Sequence, residues 1–561
     1  MQRIVATLGL AGLLAGACKA KHPPGAITTP PSPPVDGSAQ AALPLVNDCP
    51  TSLGGRENVA RTIRKACGPI NVTETLEVVG SLTLEAGVEL RFQPGTGLEV
   101  GYESVAKLYV QGGTAPDQRV VFTSAGDRAP GAWKGVTLHK GAARSQLVGL
   151  DIEFAGSNNT AALTLNDADG IQLVGSSVKN AKSIGLSTTG ATMFAKFSGN
   201  TFDATGPVAM QTEAMTVGSL AAGNIFGKDT FVEIRGGEVV ADATWLNIGA
   251  PYRVADDISV GTGTSPVTLT LADVTIAFAD RAELSIGYTA RGRLIMRGTR
   301  LQGIESGLGA WDGVRVYENG DATVENATIR DGGGNHAAGL EVKGKGKLTV
   351  GAVEFVGNER GLRVAAGALF VVNKPLTFRE NAVAAELTAM ALGQLPAANV
   401  YTPGQRIDVV GSSVDADLTW QPQAGAVVQI QDDITIADNH QLTINGPSHY
   451  QWQASAELSV GYASAGRLSV HGRPDARVVF GAVAQGAVWD GVRIYGNANR
   501  VDLSHLELSD VAGEGGITVK RGAVLRVEQV TCVRCQTTVA PACGATLDAS
   551  NDVLVRKPTD C

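Results

Sequence analysis

Short runs in which apolar and polar residues alternate follow one another along most of this chain, and glycine, asparagine or aspartate separates them. Equivalent positions in two consecutive stretches lie 21 to 23 residues apart: Gly339 and Gly361, Leu348 and Leu369, Val353 and Leu376, Asn358 and Asn381. A period of two places every second side chain on one face, so each run is predicted to be a strand with one buried face. Three such strands in each stretch of about 22 residues predict one coil of a β-solenoid.

A longer repeat is superimposed on this period. The stretch AWDGVRVYENG that starts at Ala310 returns as VWDGVRIYGNA from Val488 and, more weakly, as AWKGVTLHKGA from Ala132. The tryptophans of the three copies are spaced by 178 residues, at Trp133, Trp311 and Trp489. We expect them to share one packing role, and the solenoid is divided into large repeats at about 71–245, 246–420 and 421–531.

Each large repeat also contains a Gly-Tyr pair, with the tyrosines at Tyr102, Tyr288 and Tyr462. Tyrosine rings at equivalent positions are either platforms on which sugar rings stack or parts of the packing beneath a turn. The spacing favours packing beneath a turn, because about eight coils would separate one tyrosine from the next.

An aromatic residue followed three positions later by asparagine recurs at Phe197 and Asn200, Phe355 and Asn358, and Phe378 and Asn381. Together with the coil period and the Trp-x-Gly phrase, this pattern resembles the right-handed parallel β-helix of the pectate-lyase-like superfamily, and more narrowly exported bacterial lipoproteins with such repeats. The resemblance covers roughly residues 70 to 531. It implies an all-β fold, a right-handed parallel β-helix solenoid of about twenty coils, with the rings inside and the asparagines bonded to backbone groups at a turn.

The Trp-Asp dipeptides at Trp311 and Trp489 also occur in WD-repeat propellers. Propeller blades recur about every 40 to 45 residues, whereas these dipeptides are 178 residues apart and the first copy has Lys134 in place of aspartate. A propeller is therefore not expected.

The ends of a solenoid expose strand edges and apolar surface, so they need covers. Residues 49–70 are predicted to form an N-terminal helical cap, because Val59 and Ile63 would share one helical face. Cys49 can pair with Cys67 across the short loop between them. The parallel β-helix itself is assigned to residues 71–531, and residues 532–561 are predicted to form a disulfide-stabilised C-terminal cap.

Four cysteines are concentrated in the predicted C-terminal cap: Cys532, Cys535, Cys543 and Cys561. They suit two disulfides, a zinc site or a redox-active C-x-x-C pair. The N-terminal sequence described next predicts export, and exported proteins meet an oxidising environment, so disulfides are favoured. Which of the four cysteines pair with each other stays open. No metal and no cofactor is predicted.

The N-terminus has the pattern of an export signal: Arg3 is followed by an apolar run from Ile4 to Leu14 and by small residues. The stretch LLAGAC, ending at Cys18, resembles the lipobox of bacterial lipoproteins, which implies a signal peptide over residues 1–18 and a lipid on Cys18. Ordinary cleavage and secretion is the alternative. Residues 19–48 form a proline-rich linker, and Lys19 beside the lipidated cysteine favours the outer membrane. Lipid on Cys18 would leave six of the seven cysteines to pair.

The charge of the chain excludes one class of partner. The formal net charge is −8 for 561 residues, and no Lys/Arg run of phosphate-binding length is present. Nucleic acid is therefore not expected, and the membrane is reached only through the N-terminal lipid.

The stretch RDGGGNHAAGLE provides the candidate catalytic residues Asp331, His336 and Glu341, because a polar, glycine-rich loop on a rigid scaffold is a place where chemistry can occur. Variable glycine loops are also common between strands. The paired aspartates at 256/257 and 432/433 are assigned to turns, because about eight coils would separate them and glycosidase carboxylates must lie within about 9.5 Å of each other.

The sequence favours a non-catalytic role over an enzymatic one. We expect an exported surface lipoprotein that acts as a β-helical scaffold or adhesin and binds polysaccharide or a surface protein. The alternative is a polysaccharide lyase or glycoside hydrolase that acts on envelope or extracellular glycans, which would need several charged side chains converging in a groove.

Overall fold

The computed structural model describes residues 45–46, 48–203 and 205–556. The predicted signal peptide with Cys18, almost all of the predicted linker, and Cys561 lie outside these residues. The described residues form one compact unit. Within the described part of the chain, no helix is long and apolar enough to cross a membrane.

The fold is an all-β parallel solenoid of about 21 turns, and only 4% of it is helical. The predicted all-β parallel solenoid is thus confirmed, and the coil number agrees with the period of about 22 residues. Strands from successive coils pair in parallel, and their inward side chains form one continuous hydrophobic core.

The strands stack into seven ladders, which we number in the order in which they begin. Ladders 2 and 3 share the long strand Ile70–Val78 and so form one 21-stranded sheet. Ladder 1 contains Leu45–Val46, Ala60–Ile63, Ser81–Glu85, Lys107–Gln111, Gln146–Val148, Ile171–Val174 and Phe194–Ser198. Ladder 2 contains Ser52–Glu57, Ile70–Val78, Glu89–Phe92, Val120–Ser124, Leu150–Glu153, Ser177–Lys179, Thr201–Asp203 and Ile225–Phe226. Ladder 3 continues from Ile70–Val78 through Leu98–Val100, Val136–Leu138, Ala161–Asn166, Ile184–Thr189, Val208–Thr212, Phe231–Ile234, Tyr252–Val254, Thr275–Phe278, Arg300–Gly303, Thr328–Arg330, Glu354–Val356, Thr377–Arg379 and Val400–Tyr401.

The remaining ladders begin further along the chain, from Gly237 onward. Ladder 4 contains Gly237–Val239, Ile258–Val260, Glu283–Ile286, Gly313–Val316, Leu340–Val342, Arg360–Val364, Val383–Leu387, Gln405–Val409, Ala426–Ile430, Ser448–Trp452, Val478–Ala482, Leu506–Ser509 and Thr531–Val533. Ladder 5 contains Ala243–Leu246, Val267–Ala272, Gly292–Arg297, Gly320–Glu325, Lys347–Gly351 and Leu369–Lys374. Ladder 6 contains Ser412–Val414, Ile434–Ile436, Glu457–Val460, Gly491–Ile494, Ile517–Val519 and Val539–Pro541. Ladder 7 contains Leu418–Trp420, His440–Asn445, Gly466–His471, Ala498–Ser504, Val524–Glu528 and Thr546–Ala549.

Equivalent strands of two successive large repeats lie in different ladders, one position further around the coil. The strand Leu98–Val100, which precedes Tyr102, lies in ladder 3, and seven steps along that ladder lead to Thr275–Phe278. The next strand of the chain, Glu283–Ile286, precedes Tyr288 and lies in ladder 4. One repeat therefore comprises seven coils and one further strand, and the predicted eight coils are wrong.

The same advance separates the second repeat from the third. Seven steps along ladder 4 lead from Glu283–Ile286 to Ser448–Trp452. The next strand, Glu457–Val460, precedes Tyr462 and lies in ladder 6. Equivalent residues of the three repeats therefore lie on three different ladders.

Two one-turn helices recur 175 residues apart, at Ala214–Val217 and Ala389–Leu392. The first lies between the last strand of ladder 1 and the first of ladder 4, because Phe194 N donates to Ser219 Oγ and Ala214 N donates to Gly236 O. The second helix contacts the first strand of ladder 6, where Ala389 N donates to Ser412 Oγ. Four short 3-10 helices complete the elements: Lys65–Cys67, Pro116–Gln118, Lys140–Ala142 and Ser157–Asn159.

The three repeated tryptophans are fully buried. Each stacks on an aromatic ring of the preceding coil, with centroids 4.1 Å apart for Trp133 and Phe92, 4.4 Å for Trp311 and Phe278, and 4.8 Å for Trp489 and Trp452. The indole N–H groups of Trp133, Trp311 and Trp489 each donate to a backbone oxygen of the following coil, so these three donors are paired although they are buried. The repeated phrase thus fixes one coil of each repeat to its neighbours.

Asparagines form the predicted bonds at the turns. The Asn358 amide donates to Ile329 O at 3.0 Å and its oxygen accepts from Gly332 N at 2.8 Å, which joins successive coils. Asn200 makes the equivalent pair of bonds, and both asparagines are buried. The predicted role of these asparagines is confirmed.

The helical N-terminal cap predicted for residues 49–70 is wrong. This region forms the strands Ser52–Glu57 and Ala60–Ile63 and the 3-10 turn Lys65–Cys67. Gly55, with φ +67°, interrupts the helical pattern, and the exposed edges of the next coil offer the segment a full set of backbone partners. Ladder pairing outweighs the helical preference of a short amphipathic run.

Disulfides are present at both ends of the described solenoid. Cys49 and Cys67 form one, with Cα atoms 4.9 Å apart. Cys532 and Cys535 form another, so the C-x-x-C pair is not a pair of thiols, and Cys543 is also disulfide-bonded. The strands Thr531–Val533, Val539–Pro541 and Thr546–Ala549 continue three ladders into the segment predicted as a cap.

Candidate functional site

Of the three candidate catalytic residues, Asp331 and His336 lie on a connection between ladders 3 and 4, Glu341 lies in the ladder 4 strand that follows, and the three have separate partners. Asp331 is 5% exposed, and its carboxylate pairs with Arg330 Nε at 3.0 Å. His336 is exposed, and its backbone oxygen accepts from Arg360 and Arg363 at 3.4 Å. Among the described residues, no hydrogen bond or ion pair joins Asp331, His336 and Glu341 to one another.

The negative charge of Glu341 is compensated by cations of its own coil and of the coils on either side. It is 2% exposed and lies in ladder 4 between Arg315 and Arg363. Its oxygens are 3.7 Å from Arg315 Nε, 3.4 Å from Arg363 Nη1 and 3.7 Å from Lys343 Nζ. A buried carboxylate held by three cations has a structural role and is not presented to a substrate.

The paired aspartates form matching turns. Asp256 Oδ1 accepts from Asp257 N at 2.8 Å, and Asp257 Oδ1 accepts from Glu283 N of the next coil at 2.9 Å. Asp432 and Asp433 make the same two bonds, the second to Glu457 N. Both pairs therefore cap a turn and join it to the following coil.

The Gly-Tyr pairs place a tyrosine on the surface of each repeat. Tyr102 is 69% exposed, and Tyr288 and Tyr462 are each 65% exposed. The expectation that these rings pack beneath a turn is therefore wrong. Each preceding glycine has a positive φ, and at Gly287, with φ +71°, a Cβ would lie 2.2 Å from Gly320 N. Only glycine fits so close to the next coil, and the chain must turn outward with the tyrosine as its next residue.

Each exposed tyrosine meets a second aromatic ring edge-on in the next coil. The ring centroids are 4.9 Å apart for Tyr102 and His139, 4.8 Å for Tyr288 and Tyr317, and 4.9 Å for Tyr462 and Tyr495. We call each pair, with the charged residues beside it, a tyrosine cluster. The edge-on contact fixes the orientation of the exposed ring while leaving most of it accessible.

An arginine organises the charged part of the second cluster. Arg315 Nη1 lies 2.5 Å from Glu283 Oε2, and Nη2 lies 3.2 Å from Asp312 Oδ2. The Tyr317 hydroxyl lies 3.3 Å from Glu283, and Lys343 Nζ lies 5.3 Å from the centroid of the Tyr317 ring. Hydroxyl, carboxylate and guanidinium groups therefore border the aromatic platform.

The third cluster repeats this arrangement. Arg493 Nη1 and Nη2 lie 2.8 Å from Glu457 and Asp490, respectively. The first cluster is simpler: His139 replaces the second tyrosine, and its Nε2 lies 3.8 Å from Glu99. The first cluster thus keeps the ring pair and one carboxylate, without the central arginine.

Burial perturbs two acids of the second cluster. Burial, together with the charge of Glu283, raises the pKa of Asp312 above its usual value, although Arg315 opposes the shift. Burial likewise raises the pKa of Asp257; the hydrogen bond from the Glu283 N–H opposes this shift, and the charge of Glu283 adds to it. These shifts follow from crowding acids around one arginine, and both acids already have structural partners.

Sequence reasoning missed the arginine and the second ring of the cluster. In the phrase WDGVRVY, Arg315 and Tyr317 alternate with the buried Val314 and Val316, so the period of two places both on the outer face. The third copy, WDGVRIY, keeps both residues at Arg493 and Tyr495. The sequence did contain a signal for these two residues: they face outward, and they recur although packing of the core does not require them.

The described residues contain no group of three or more His, Cys, Asp and Glu side chains that could hold a metal ion. No protein-family model, curated protein or solved structure matches the chain.

Proposed function

We propose that the chain is an exported lipoprotein, with a right-handed parallel β-helix related to the pectate-lyase-like superfamily, that binds polysaccharide without cleaving it. Lipid on Cys18 would anchor it in the outer membrane, and the proline-rich linker would hold the solenoid away from the bilayer. The observation that carries the binding role is the exposed tyrosine at the same position of all three repeats, at 65 to 69% exposure.

The chemistry of the clusters suits a sugar ring. The C–H face of a pyranose packs on an aromatic face, and its hydroxyls need hydrogen-bond partners at the edge. In the second cluster, the Tyr317 hydroxyl and the ammonium group of Lys343, whose side chain is 38% exposed, are such partners. A stable protein partner would need about 800 Å² of each surface, which is more than one exposed ring offers.

The charges favour a neutral polymer. In the second cluster, the carboxylates of Glu283, Asp312 and Glu341 are matched by Arg315, Lys343 and Arg363. In the third cluster, two carboxylates surround the single cation Arg493. Neither platform therefore offers the excess of positive charge that would attract a uronic acid polymer. The lyase or hydrolase alternative receives less support, because the candidate acids are engaged in turns and ion pairs.

The test is binding of the full chain to a panel of neutral and uronic-acid polysaccharides, with the variant Tyr102→Ala, Tyr288→Ala, Tyr462→Ala beside it. We expect binding to a neutral polymer and a loss of about tenfold or more in affinity for each site. A matched control replaces exposed apolar residues outside the clusters, Ile225→Ala and Leu369→Ala, and should bind like the parent.

Three results would contradict the proposal. Equal binding by the parent and the triple variant would show that the three tyrosines are not part of the binding site. Capture of a protein but of no glycan would favour a protein-binding scaffold. New reducing ends or unsaturated uronic acids, released from the polymer by the parent chain, would establish the enzymatic alternative.

A further inference from the structure

We infer that the three tyrosine clusters face different sides of the solenoid and make the protein a cross-linker of separate glycan chains. This inference rests on the proposed glycan binding and adds how the sites are used together. Its basis is the advance of each repeat by one ladder, which puts Tyr102, Tyr288 and Tyr462 after strands of ladders 3, 4 and 6.

Ladders 3 and 4 exist side by side in the second repeat, which shows that they are different sides of one coil. Thr275–Phe278 of ladder 3 is followed directly by Glu283–Ile286 of ladder 4, and Tyr288 leaves the coil at the end of the latter strand. Tyr102 leaves from ladder 3, seven coils earlier. The same relation holds for Tyr462 and ladder 6, which follows ladder 4 in each later coil.

The sites are also far apart along the axis. Seven coils and one strand at about 4.8 Å per coil place consecutive tyrosines about 35 Å apart. An extended glycan lying along one ladder would meet one cluster only, since the next cluster is on another side. A linear chain therefore gains little avidity from the set, whereas three separate chains can be held at once.

The composition of the coils shows how the advance is made. Each coil has three segments, and the helices Ala214–Val217 and Ala389–Leu392 each take the place of one strand in a coil. Because one repeat comprises seven coils and one further segment, equivalent positions move by one segment around the coil from each repeat to the next. The rotation between sites is thus built into the repeat itself.

The experiment uses the full chain and a neutral oligosaccharide selected from the panel. Titration calorimetry should give three sites per chain for the parent, two for Tyr102→Ala and one for Tyr102→Ala, Tyr288→Ala, with the affinity of the remaining sites unchanged. Beads coated with the matching polysaccharide should then aggregate with chains that keep two or three sites, and should bind the one-site variant without aggregating.

The outcomes separate the two proposals. Three-site binding without bead aggregation would overturn cross-linking and leave the glycan-binding role intact. Aggregation by the one-site variant would also overturn it, because cross-linking would then come from self-association. Absence of any binding would overturn the glycan-binding role, and the cross-linking role with it.

Discussion

Replacing Arg315 with methionine tests whether the charged part of the second tyrosine cluster is held by one buried cation. The guanidinium contacts three carboxylates, those of Glu283, Asp312 and Glu341, whose side chains are 13%, 7% and 3% exposed. Its own side chain is 12% exposed. Removing one partner of a buried ion pair costs about 3 to 5 kcal/mol because the other charge stays buried without compensation.

The lower end of that range applies here. Lys343 and Arg363 remain within 3.7 Å of Glu341 after the substitution, so one of the three carboxylates keeps cationic neighbours. We therefore expect Arg315→Met to destabilise the surrounding coils by about 3 kcal/mol.

The third repeat supplies a matched control. Arg493 pairs with Glu457 and Asp490, but the arginine is 35% exposed and Asp490 is 32% exposed. Thr518 takes the position that Glu341 has in the second repeat. Solvent screens such a pair, so Arg493→Met should cost about 1 kcal/mol or less.

Solenoids open locally, so the readout is hydrogen exchange resolved by segment. Protection of the strand Gly313–Val316 should fall by about 150-fold in Arg315→Met, the equivalent of about 3 kcal/mol. Protection of Gly491–Ile494 should fall by about fivefold in Arg493→Met. Equal losses in the two variants, or a larger loss in the third repeat, would refute the reasoning from burial.

Three further predictions concern the turns, the N-terminal disulfide and acid stability. Gly287→Ala should lower the free energy of unfolding by more than about 1 kcal/mol in denaturant titrations, because the new Cβ would lie 2.2 Å from Gly320 N. The control Gly263→Ala should leave stability unchanged, because no atom lies within 4 Å of the Cβ added there. The double variant Cys49→Ser, Cys67→Ser opens a loop with a sequence separation of 18 and should lower the free energy of unfolding by about 3 kcal/mol. Unchanged amide hydrogen exchange in the strand Ala60–Ile63 would contradict this prediction. The third prediction concerns Asp151. Burial of its carboxyl would raise the pKa, but hydrogen bonds from Arg119 and Ser177 and the charge of Arg119 outweigh burial and keep the pKa below its usual value. This group therefore adds stability above about pH 4 that is lost as the pH falls, and Asp151→Asn should flatten that part of the pH profile of unfolding.

Much of the fold is predictable from sequence because a β-solenoid repeats the same short pattern. Alternation sets which residues face the core, and the recurrence of Asn358 and Asn381 at 23 residues sets the coil. The first coil was not predictable in this way. Its residues around Val59 have a helical arrangement of apolar positions, and the ladder edges offered by Ile70–Val78 and Ser81–Glu85 make this segment two strands.

The number of coils in a repeat also depends on tertiary structure. Dividing 178 residues by about 22 gives eight coils, but the coil that contains the repeated tryptophan is longer than the others. Residues paired across this coil lie 38, 30 and 34 residues apart in the three repeats, at Leu98 and Val136, Leu284 and Val314, and Leu458 and Val492. The exposure of the tyrosines follows from the same three-dimensional detail, because the close approach of Gly287 to the next coil is not encoded by local pattern.

Fluorine NMR of the full chain with all nine tyrosines replaced by 3-fluorotyrosine tests the central claim most directly, with resonances assigned by Tyr→Phe variants. Addition of a bound neutral oligosaccharide should shift the resonances of Tyr102, Tyr288 and Tyr462 and leave those of the buried Tyr252 and Tyr450 in place. If the glycan binds while the three exposed tyrosines keep their resonances, the tyrosine clusters are not the binding sites and the account fails.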